Sequence, residues 1–462
     1  MLDHIRAHAQ LIGLILLWIV VTVYGGILIY GLLPISVFAL RGREGYADIL
    51  FGFLMILVLS DMDPMFVEMR KIKSAKYAMM VAISLVILLD RERIRPMASI
   101  FAVFAPFFLF AFLPIVNSSE PLVAVSKTIS YGLLYLVVPN YVLYNFRRYG
   151  WDFFRNFIFF IVVMLLASLV IYYGVNARWV SVGGRYRAFF GNPNGLGIFC
   201  FMVFMFVTAV ISLNKDAFTF REKVIIYAVL IYSLIRCCSR TSVTATATFL
   251  LFSRFFGLSP FLGFVVFILF LFVAELVSSN LASIVMSLGL QKYFRVETLD
   301  DGSGRYFAWS FAWEQINKGG YFLFGGGFGN DEWVMRHNYP YLRSQGHHGG
   351  VHNSYLTMWF NTGIMGVLLY FRSFFLIFFK ANKRVPIAFA IMFSVMFSVL
   401  YESWLTGSLN PFTIILVTML TMITEEEIVD WRSYVQEPDP AAAGALSDGQ
   451  GPELPSARQT FR

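Results

Sequence analysis

The chain consists of long apolar blocks joined by short polar or charged connections along most of its 462 residues. A helix needs about 20 predominantly apolar residues to cross the hydrocarbon core of a bilayer, and several of the blocks are that long. Within lipid every backbone polar group must be bonded inside the protein, and a helix achieves this within one segment. The sequence therefore predicts an all-α, multi-pass integral membrane protein.

The apolar blocks predict about 12 transmembrane helices. Two of the blocks, 47–60 and 77–89, are short for a helix that rises about 1.5 Å per residue, so a tilted or re-entrant course is an alternative for each. The number of spans within residues 1–96 is therefore left open. The candidate segments are 11–33, 47–60, 77–89, 97–116, 122–144, 153–174, 194–213, 218–235, 242–256, 258–278, 355–379, 385–400 and 407–423.

The composition supports the same fold class. Hydrophobic residues make up 58% of the chain and charged residues 14%, against about 45–50% and about 25% in soluble proteins, which excludes a water-soluble enzyme. The net charge is +8, but the 36 Lys and Arg residues are spread between the apolar blocks and form no single basic stripe. We interpret them as determinants of membrane topology, with membrane lipid as their partner and no nucleic acid.

Basic residues concentrate in three connections, which the positive-inside rule places in the cytoplasm. Counting alternate helices then places segments 176–193, 236–241 and 279–354 on the opposite, external face, with 279–354 as one long external loop. A basic cluster at 70–76 would also fall outside if both short blocks cross the membrane, so we expect at least one of them not to span. The three cytoplasmic connections contain Arg147, Arg148 and Arg155; Lys215, Arg221 and Lys223; and Lys380, Lys383 and Arg384.

This topology divides the chain into four regions. Residues 1–278 are predicted to form the N-terminal transmembrane helices, 279–354 the external catalytic loop, and 355–424 the C-terminal transmembrane helices. Residues 425–462 are predicted to form a disordered cytoplasmic tail. From Glu437 onward its Pro, Ala, Gly and Ser residues cannot bury a core.

The external segment 176–193 contains Arg178, Arg185 and Arg187 on the face that should have few cations. Guanidinium groups pair bidentately with phosphate, and the neighbouring glycines let the backbone approach a ligand closely. The segment therefore indicates an anion site, with arginines that bind lipid headgroups as the alternative. The next helix is predicted to begin at 192–194, because Asn can cap a helix and Pro is tolerated at its first position.

Two further arginines lie on the same predicted face. Arg240 lies at the mouth of a predicted span, and Arg305 lies in the long loop. If Asp301 or Ser303 caps the helix that follows, Arg305 stands in its first turn beside the positive end of the dipole. A cation there is disfavoured unless an anion answers it. Convergence of these arginines with those of 176–193 favours a binding site over the alternative of a side chain that snorkels to the interface.

The long loop also contains an aromatic stripe and a glycine run. Tyr306, Trp309, Trp313 and Ile316 share one face at helical spacing, which suits a helix that lies at the membrane interface. The glycine run at 325–329 is predicted to form a tight turn. It does not indicate a nucleotide site, because no Gly-Lys-Ser or Gly-Lys-Thr follows it and no strand precedes it.

The loop ends in a histidine cluster. His348 and His352 are four residues apart, so a zinc pair is one interpretation and a proton acceptor is the other. Gly349 and Gly350 between them disfavour the helix that would align two imidazole rings. The spacing therefore favours one histidine as a general base over a metal site.

Short motifs follow one another around the long loop. They are Arg-Tyr-Arg-Ala-Phe-Phe-Gly-Asn-Pro-Asn at 185–194, Ser-Arg-Thr at 239–241, Gly-Arg at 304–305 followed by Trp309, Phe-Gly-Gly-Gly-Phe-Gly at 324–329, and His-Asn-Ser-Tyr-Leu at 352–356 followed by Gly-Ile-Met-Gly at 363–366. In order, spacing and placement, this set resembles the bacterial O-antigen ligase and O-antigen polymerase superfamily.

The resemblance implies a metal-independent membrane glycosyltransferase that uses a polyprenyl-diphosphate glycan donor and no cofactor. It also implies a location in the bacterial inner membrane, with the active site facing the periplasm. By motif, Arg240 and Arg305 would bind the diphosphate and His352 would lie near the acceptor, so these three residues are the catalytic candidates. Arg185 and Arg187 are alternatives for the arginine that precedes the Pro-Asn element. The substrate-binding candidates are Arg185, Arg187, Asn194, Asn353 and Glu402.

The superfamily joins two activities. We favour polymerisation of undecaprenyl-diphosphate-linked repeat units into O-antigen, exopolysaccharide or capsule, because pathways to all three polymers use a polymerase. The alternative is an O-antigen ligase that transfers the glycan to lipid A core. A transporter of lipid-linked glycans is disfavoured, since transporters place their charges at the midplane of broken helices. A flippase and a chain-length regulator are the candidate protein partners.

Overall fold

Helices account for nearly all regular structure in residues 8–62, 66–279, 286–287, 305–347 and 349–432, which are the residues that the computed structural model describes. Two strands of two residues each, β1 (Ser181–Val182) and β2 (Arg185–Tyr186), pair antiparallel. The helices in chain order are α1 (Ala9–Tyr24), α2 (Ile29–Gly42), α3 (Tyr46–Ser60), α4 (Arg70–Leu89), α5 (Arg91–Ile94), α6 (Ile100–Phe110), α7 (Pro121–Tyr149), α8 (Trp151–Gly174), α9 (Pro193–Leu213), α10 (Phe220–Arg236), α11 (Arg240–Leu258), α12 (Pro260–Ser279), α13 (Arg305–Lys318), α14 (Asn330–His337), α15 (Tyr339–Ser344), α16 (Ser354–Asn382), α17 (Ala388–Tyr401), α18 (Pro411–Thr424) and α19 (Glu426–Val429).

The helices confirm the predicted all-α, multi-pass membrane fold. Six helical segments of the described residues are long and apolar enough to cross a membrane, and shorter apolar helices stand beside them. The count of about 12 spans stays a prediction. The six segments are Val67–Leu89, Ile100–Asn117, Pro121–Tyr149, Trp151–Gly174, Pro193–Leu213 and Ser354–Asn382.

The bundle has two ends, and α3 and α4 run antiparallel between them. At one end the Tyr46 hydroxyl donates to an Asp90 carboxylate oxygen at 2.7 Å. At the other end the Lys76 ammonium donates to the Ser60 hydroxyl at 3.4 Å. Val67–Leu89 is long and apolar enough to cross a membrane, whereas the 15-residue α3 is one of the shorter apolar helices. The expectation that at least one of segments 47–60 and 77–89 does not span therefore stays a prediction.

The basic cluster 70–76 lies at the second end of the bundle, where two of its lysines donate to backbone carbonyl oxygens. Lys76 is buried and donates to the Leu409 carbonyl oxygen at 2.8 Å, and Lys71 donates to the Thr22 carbonyl oxygen at 3.4 Å. The positive-inside rule applies to the cations of loops. A lysine that donates to backbone carbonyl oxygens inside the protein is therefore a poor indicator of topology. We call this second end the site end and the first the opposite end.

The predicted tail begins with residues that contact the bundle. A Glu425 carboxylate oxygen accepts from the Ser99 hydroxyl at 2.9 Å. Arg147 binds the Glu427 carboxylate bidentately, with Nε donating at 2.6 Å and Nη2 at 2.8 Å. The remaining predicted tail, 433–462, lies outside the described residues.

A small second core lies above the site end, under helices α13 to α15. The buried face of α13 is formed by Ala308, Ala312 and Ile316, while Tyr306 and Trp313 of the aromatic stripe are 49% and 43% exposed. The stripe therefore stands at the edge of this core. The second core also contains Phe311, Val334, Met335, Leu342, Val351 and Phe360.

Helix α16 is broken at Gly363, where φ is 65° and ψ is 178°. Backbone groups released by a break near lipid need partners inside the protein. The amides of Ile364 and Met365 donate to the carbonyl oxygens of Phe322 and Leu323 at 2.9 and 3.3 Å.

The glycine run supplies the other half of this clamp. The amides of Gly326 and Gly327 donate to the carbonyl oxygens of Phe360 and Asn361 at 3.1 and 2.8 Å. Gly325 and Gly327 have positive φ angles, which residues with a Cβ adopt only with strain. The predicted tight turn is present, and its function is to close the break in α16.

We predict that Gly363→Ala destabilises the protein. An added Cβ would overlap the Leu323 carbonyl oxygen. Overpacking costs about 1–3 kcal/mol and a left-handed backbone about 1–2 kcal/mol more for a residue with a Cβ. Thermal unfolding in detergent should show a clearly lower midpoint, whereas Gly13→Ala, where an added Cβ meets nothing within 4 Å, should leave the midpoint nearly unchanged. Equal midpoints for the two variants would contradict the clamp.

Candidate active site

The site is built around Glu402, which begins an irregular buried segment between α17 and α18. Three side chains hold the carbonyl oxygens of this segment. The Ser354 hydroxyl donates to the Glu402 carbonyl oxygen at 2.7 Å, Tyr131 donates to that of Leu405 at 2.6 Å, and Lys76 to that of Leu409 at 2.8 Å. These bonds satisfy a non-helical backbone in the bundle and fix the position of the carboxylate.

The Glu402 carboxylate is buried, with 8% of its side chain exposed. Its Oε1 accepts from Arg305 Nη2 at 2.9 Å and from Asn194 Nδ2 at 3.3 Å. Arg305 is the first residue of α13, so Glu402 is the anion that a cation in the first turn of a helix requires. The predicted caps of this helix, Asp301 and Ser303, lie outside the described residues.

Asn194 connects the carboxylate to Arg185. Arg185 Nη2 donates to Asn194 Oδ1 at 2.8 Å, and the same guanidinium donates to the carbonyl oxygens of Cys237 and Cys238 at 2.9 and 3.1 Å. Those carbonyls follow α10, so Arg185 ties the loop before α9 to the end of α10. Asn192 caps α9 as predicted, because its side chain accepts from the Gly195 amide.

Arg240 reaches the same place from α11. Gly197 of α9 packs so closely on α11 that an added Cβ would lie 2.6 Å from the Ser239 Cβ. This close approach brings the first turns of the two helices together. Burial, and then the like charges of Arg305 and Arg185, lower the pKa of Arg240. Arginines from three separate segments therefore act on one another at this end of the bundle.

Arg187 is placed differently from Arg185. Its side chain is fully buried, and its guanidinium donates to the carbonyl oxygens of Phe190 and Trp179. The ring of Phe66 lies 5.9 Å from it. The contacts of Arg187 are therefore internal to its own loop and to Phe66, and of the two predicted alternatives the structure brings Arg185 to Glu402.

His352 stands on the other side of Glu402. Its Nδ1 lies 3.7 Å from Glu402 Oε2, too far for a hydrogen bond, and 35% of the side chain is exposed. The residue has a φ of 51°, which turns the chain sharply just before α16. Asn353 then caps α16, since its side chain accepts from the Leu356 amide at 3.0 Å. Asn353 thus positions its neighbours.

His347 and Gly349 shape the surroundings of His352. His347 is buried, and its Nε2 lies 3.0 Å from the carbonyl oxygens of both Gly349 and Gly350, so it donates to this turn. The turn lies against the His352 ring, and a Cβ on Gly349 would overlap His352 Nε2. Glycine at 349 therefore lets the turn pack against the ring without displacing that nitrogen.

The predicted zinc pair includes His348, whose position the structure does not describe. The His348–His352 pair is therefore not placed. In the described ranges no group of three or more His, Cys, Asp or Glu side chains is arranged to hold a metal ion.

Sequence reasoning missed several residues that position the site. The sequence showed Lys76 as a topological violation, and that violation was the signal of a special role. Gly349 carried a signal as well, since it stands next to the histidine motif, but its meaning depends on how the turn folds. Ser354 stands in the motif 352–356, but its bond to Glu402 links positions 48 apart in sequence and could not be predicted from the motif.

A comparison with known protein families gives one match. Residues 196–371 match the family model for O-antigen ligase. The match confirms the resemblance to the O-antigen ligase and polymerase superfamily. It includes Arg240, Arg305 and His352, whereas Asn194 and Glu402 lie outside it. No curated protein matches the chain.

We predict that Arg187→Ala destabilises the protein by removing a structural cation. The carbonyl oxygens of Phe190 and Trp179 would lose their donor, and a buried group left without a partner costs about 1–3 kcal/mol. Thermal unfolding should show a lower midpoint for Arg187→Ala. Arg178→Ala, at an exposed position in the same loop, is the matched control and should unfold like wild type. A stable Arg187→Ala protein would contradict the structural role.

Proposed function

We propose that the protein transfers a glycan from an undecaprenyl diphosphate carrier to the hydroxyl group of an acceptor. The observation that carries the proposal is that Arg305 and His352 both lie at one buried carboxylate, Glu402, while Arg240 is near enough to Arg305 for their like charges to act on each other. Guanidinium groups favour phosphate, and an exposed imidazole beside them provides a base. The family match, which includes these three residues, supports the same chemistry.

The site faces the periplasm in this proposal. Arginines cluster at the opposite end of the bundle, where Arg41 binds Asp90, Arg147 binds Glu427 and Arg384 binds Asp430. The positive-inside rule favours this end as the cytoplasmic one. The arginines of the site lie at one surface of the bundle and not at its midplane, which argues against a transporter.

Arg305 and Arg240 stabilise the leaving group. As the bond between the anomeric carbon and the diphosphate breaks, negative charge grows on the diphosphate oxygen. Fixed guanidinium groups bind that charge more tightly in the transition state than in the ground state, which lowers the barrier. Arginine can therefore supply the charge stabilisation that other transferases take from a metal ion, and we propose a metal-independent reaction.

His352 acts on the acceptor in the same step. Its Nε2 takes the proton of the acceptor hydroxyl while the hydroxyl oxygen forms a bond to the anomeric carbon. The carbon–oxygen bond to the diphosphate breaks, and undecaprenyl diphosphate leaves with the bonding electrons. The proton remains on His352 until it passes to water, so charge and atoms balance.

We propose polymerisation as the activity, with the glycan of another carrier-linked repeat unit as acceptor. Ligation to lipid A core is the second candidate, and the description of the matching family favours it. The two activities share the donor and the arginine chemistry and differ only in the acceptor. The choice of acceptor therefore has to be measured.

We predict that Arg305 is essential for transfer. Purified protein receives a synthetic undecaprenyl-diphosphate repeat unit, with or without lipid A core and with or without chelator. Arg305→Ala should lower the rate by about 100-fold or more, since one donor to a developing oxyanion contributes that much. Arg305→Lys should also be impaired because an ammonium cannot replace a bidentate fork.

Arg343→Ala, at an exposed position of the same external region, is the control and should keep the wild-type rate. Longer glycans on the carrier support polymerisation, and product on lipid A core alone would replace it with ligation. Full activity of Arg305→Ala, or no product from wild type with either acceptor, would contradict the proposed function. Loss of activity in chelator would contradict its metal independence.

We predict that Gly349→Ala impairs transfer without unfolding the protein. The added Cβ would overlap His352 Nε2, the far end of a side chain that can rotate away, so the base moves and the fold remains. The rate should fall about 10-fold or more, within the contribution of a general base. Gly350→Ala, whose added Cβ meets nothing within 4 Å, should retain the rate. Equal rates for the two variants would count against Nε2 as the base.

A further inference from the structure

We propose that Glu402 is a positioning residue that exchanges partners during the reaction. Glu402 binds Arg305 in the structure, and when a diphosphate occupies the arginines it binds His352 instead. The inference rests on the proposed function and assigns Glu402 a role other than direct contact with substrate. It makes alignment of the base depend on the presence of the donor.

The two carboxylate oxygens of Glu402 already face the two partners. Oε1 lies 2.9 Å from Arg305 Nη2, a short charge-assisted hydrogen bond. Oε2 lies 3.7 Å from His352 Nδ1, which is just beyond hydrogen-bond distance. A small rotation of one side chain therefore exchanges a bond to the arginine for a bond to the histidine.

A diphosphate drives this exchange because it competes for the same guanidinium. A doubly substituted diphosphate carries about two negative charges, one on each phosphate, against one on a carboxylate. When Arg305 turns its fork to the phosphates, Glu402 loses its strongest partner. A buried carboxylate without a cation is costly, so Glu402 keeps its bond to Asn194 through Oε1 and brings Oε2 to His352 Nδ1, which can replace the lost cation.

The exchange selects the form of His352 that catalysis needs. A carboxylate that accepts from Nδ1–H fixes the proton on that nitrogen and leaves the lone pair on Nε2. Nε2 is the nitrogen that lies against Gly349, where a Cβ would overlap it. The base is thus oriented only when a leaving group is in place.

The backbone restricts the movement to the side chain. The Ser354 hydroxyl donates to the Glu402 carbonyl oxygen at 2.7 Å and accepts from the Leu405 amide at 3.3 Å. Ser354 is two residues from His352, so the segments that carry the two partners are joined. The other groups that face the pair are Asn194 on Oε1, Arg185 and Arg240 beyond it, and His347, whose ring lies 5.9 Å from that of His352.

Glu402→Gln tests the exchange because it removes the charge and keeps the shape. Without the competing carboxylate, Arg305 is available to phosphate, so the variant should bind donor more tightly. It should also turn over more slowly at saturating donor, because an amide orients the imidazole less well. We expect a dissociation constant about 3- to 10-fold lower and a kcat about 10- to 100-fold lower.

Both quantities are measured on full-length protein in nanodiscs, with inorganic diphosphate and a fluorescent undecaprenyl-diphosphate glycan as binding probes. Glu314→Gln, at an exposed glutamate of α13 that pairs with Lys318, is the matched control and should change neither quantity. Glu402→Asp retains the charge but is shorter. It should bind donor within about 2-fold of wild type and still lose kcat, because it cannot reach both partners.

Weaker donor binding by Glu402→Gln would overturn the exchange and make Glu402 a substrate-binding residue. Tighter binding with an unchanged kcat would also overturn it, since His352 would not need the carboxylate. If Glu402→Gln does not fold, Glu402→Asp decides: binding within about 2-fold of wild type with a lower kcat supports the exchange, and weaker binding or an unchanged kcat overturns it. Absence of transfer by wild type would refute the proposed function and this inference with it, whereas transfer with unchanged binding in Glu402→Gln would refute the exchange alone.

Discussion

A single buried carboxylate organises this end of the molecule. Glu402 holds Arg305 directly, Arg185 through Asn194, and stands within reach of His352. A buried anion is stable only when cations and donors surround it, and like-charged arginines are stable close together only when an anion lies among them. The carboxylate and the arginines therefore depend on one another, and so does the arrangement of the helices that carry them.

Two stretches of non-helical backbone lie near this carboxylate and the helices that carry its partners. The segment after α17 and the break in α16 both lie in an apolar bundle, where unbonded backbone is costly. One is satisfied by side chains, including the buried Lys76, and the other by the glycine run that follows α13. The segment that follows α13 is thus bonded to α16 through backbone.

The fold class and most helices could be predicted from the sequence because length and hydropathy suffice for them. Segment 153–174, for example, corresponds to Trp151–Gly174. The contacts of the basic cluster 70–76 could not be predicted, because a hydropathy pattern cannot show that Lys71 and Lys76 donate to backbone carbonyl oxygens. The difference between Arg185 and Arg187 also escaped prediction, since it depends on how a short ribbon folds against α10 and on which carbonyls are left to bond.

The central claim is that the arginines around Glu402 hold the diphosphate of a lipid-linked glycan. A structure determined with a non-cleavable phosphonate analogue of undecaprenyl-diphosphate glycan tests it directly. We expect phosphate oxygens within hydrogen-bond distance of Arg305 and Arg240. We also expect a distance between Glu402 Oε2 and His352 Nδ1 that is shorter than 3.7 Å. An analogue bound among the arginines of the opposite end, or one that leaves Arg305 on Glu402, would contradict it.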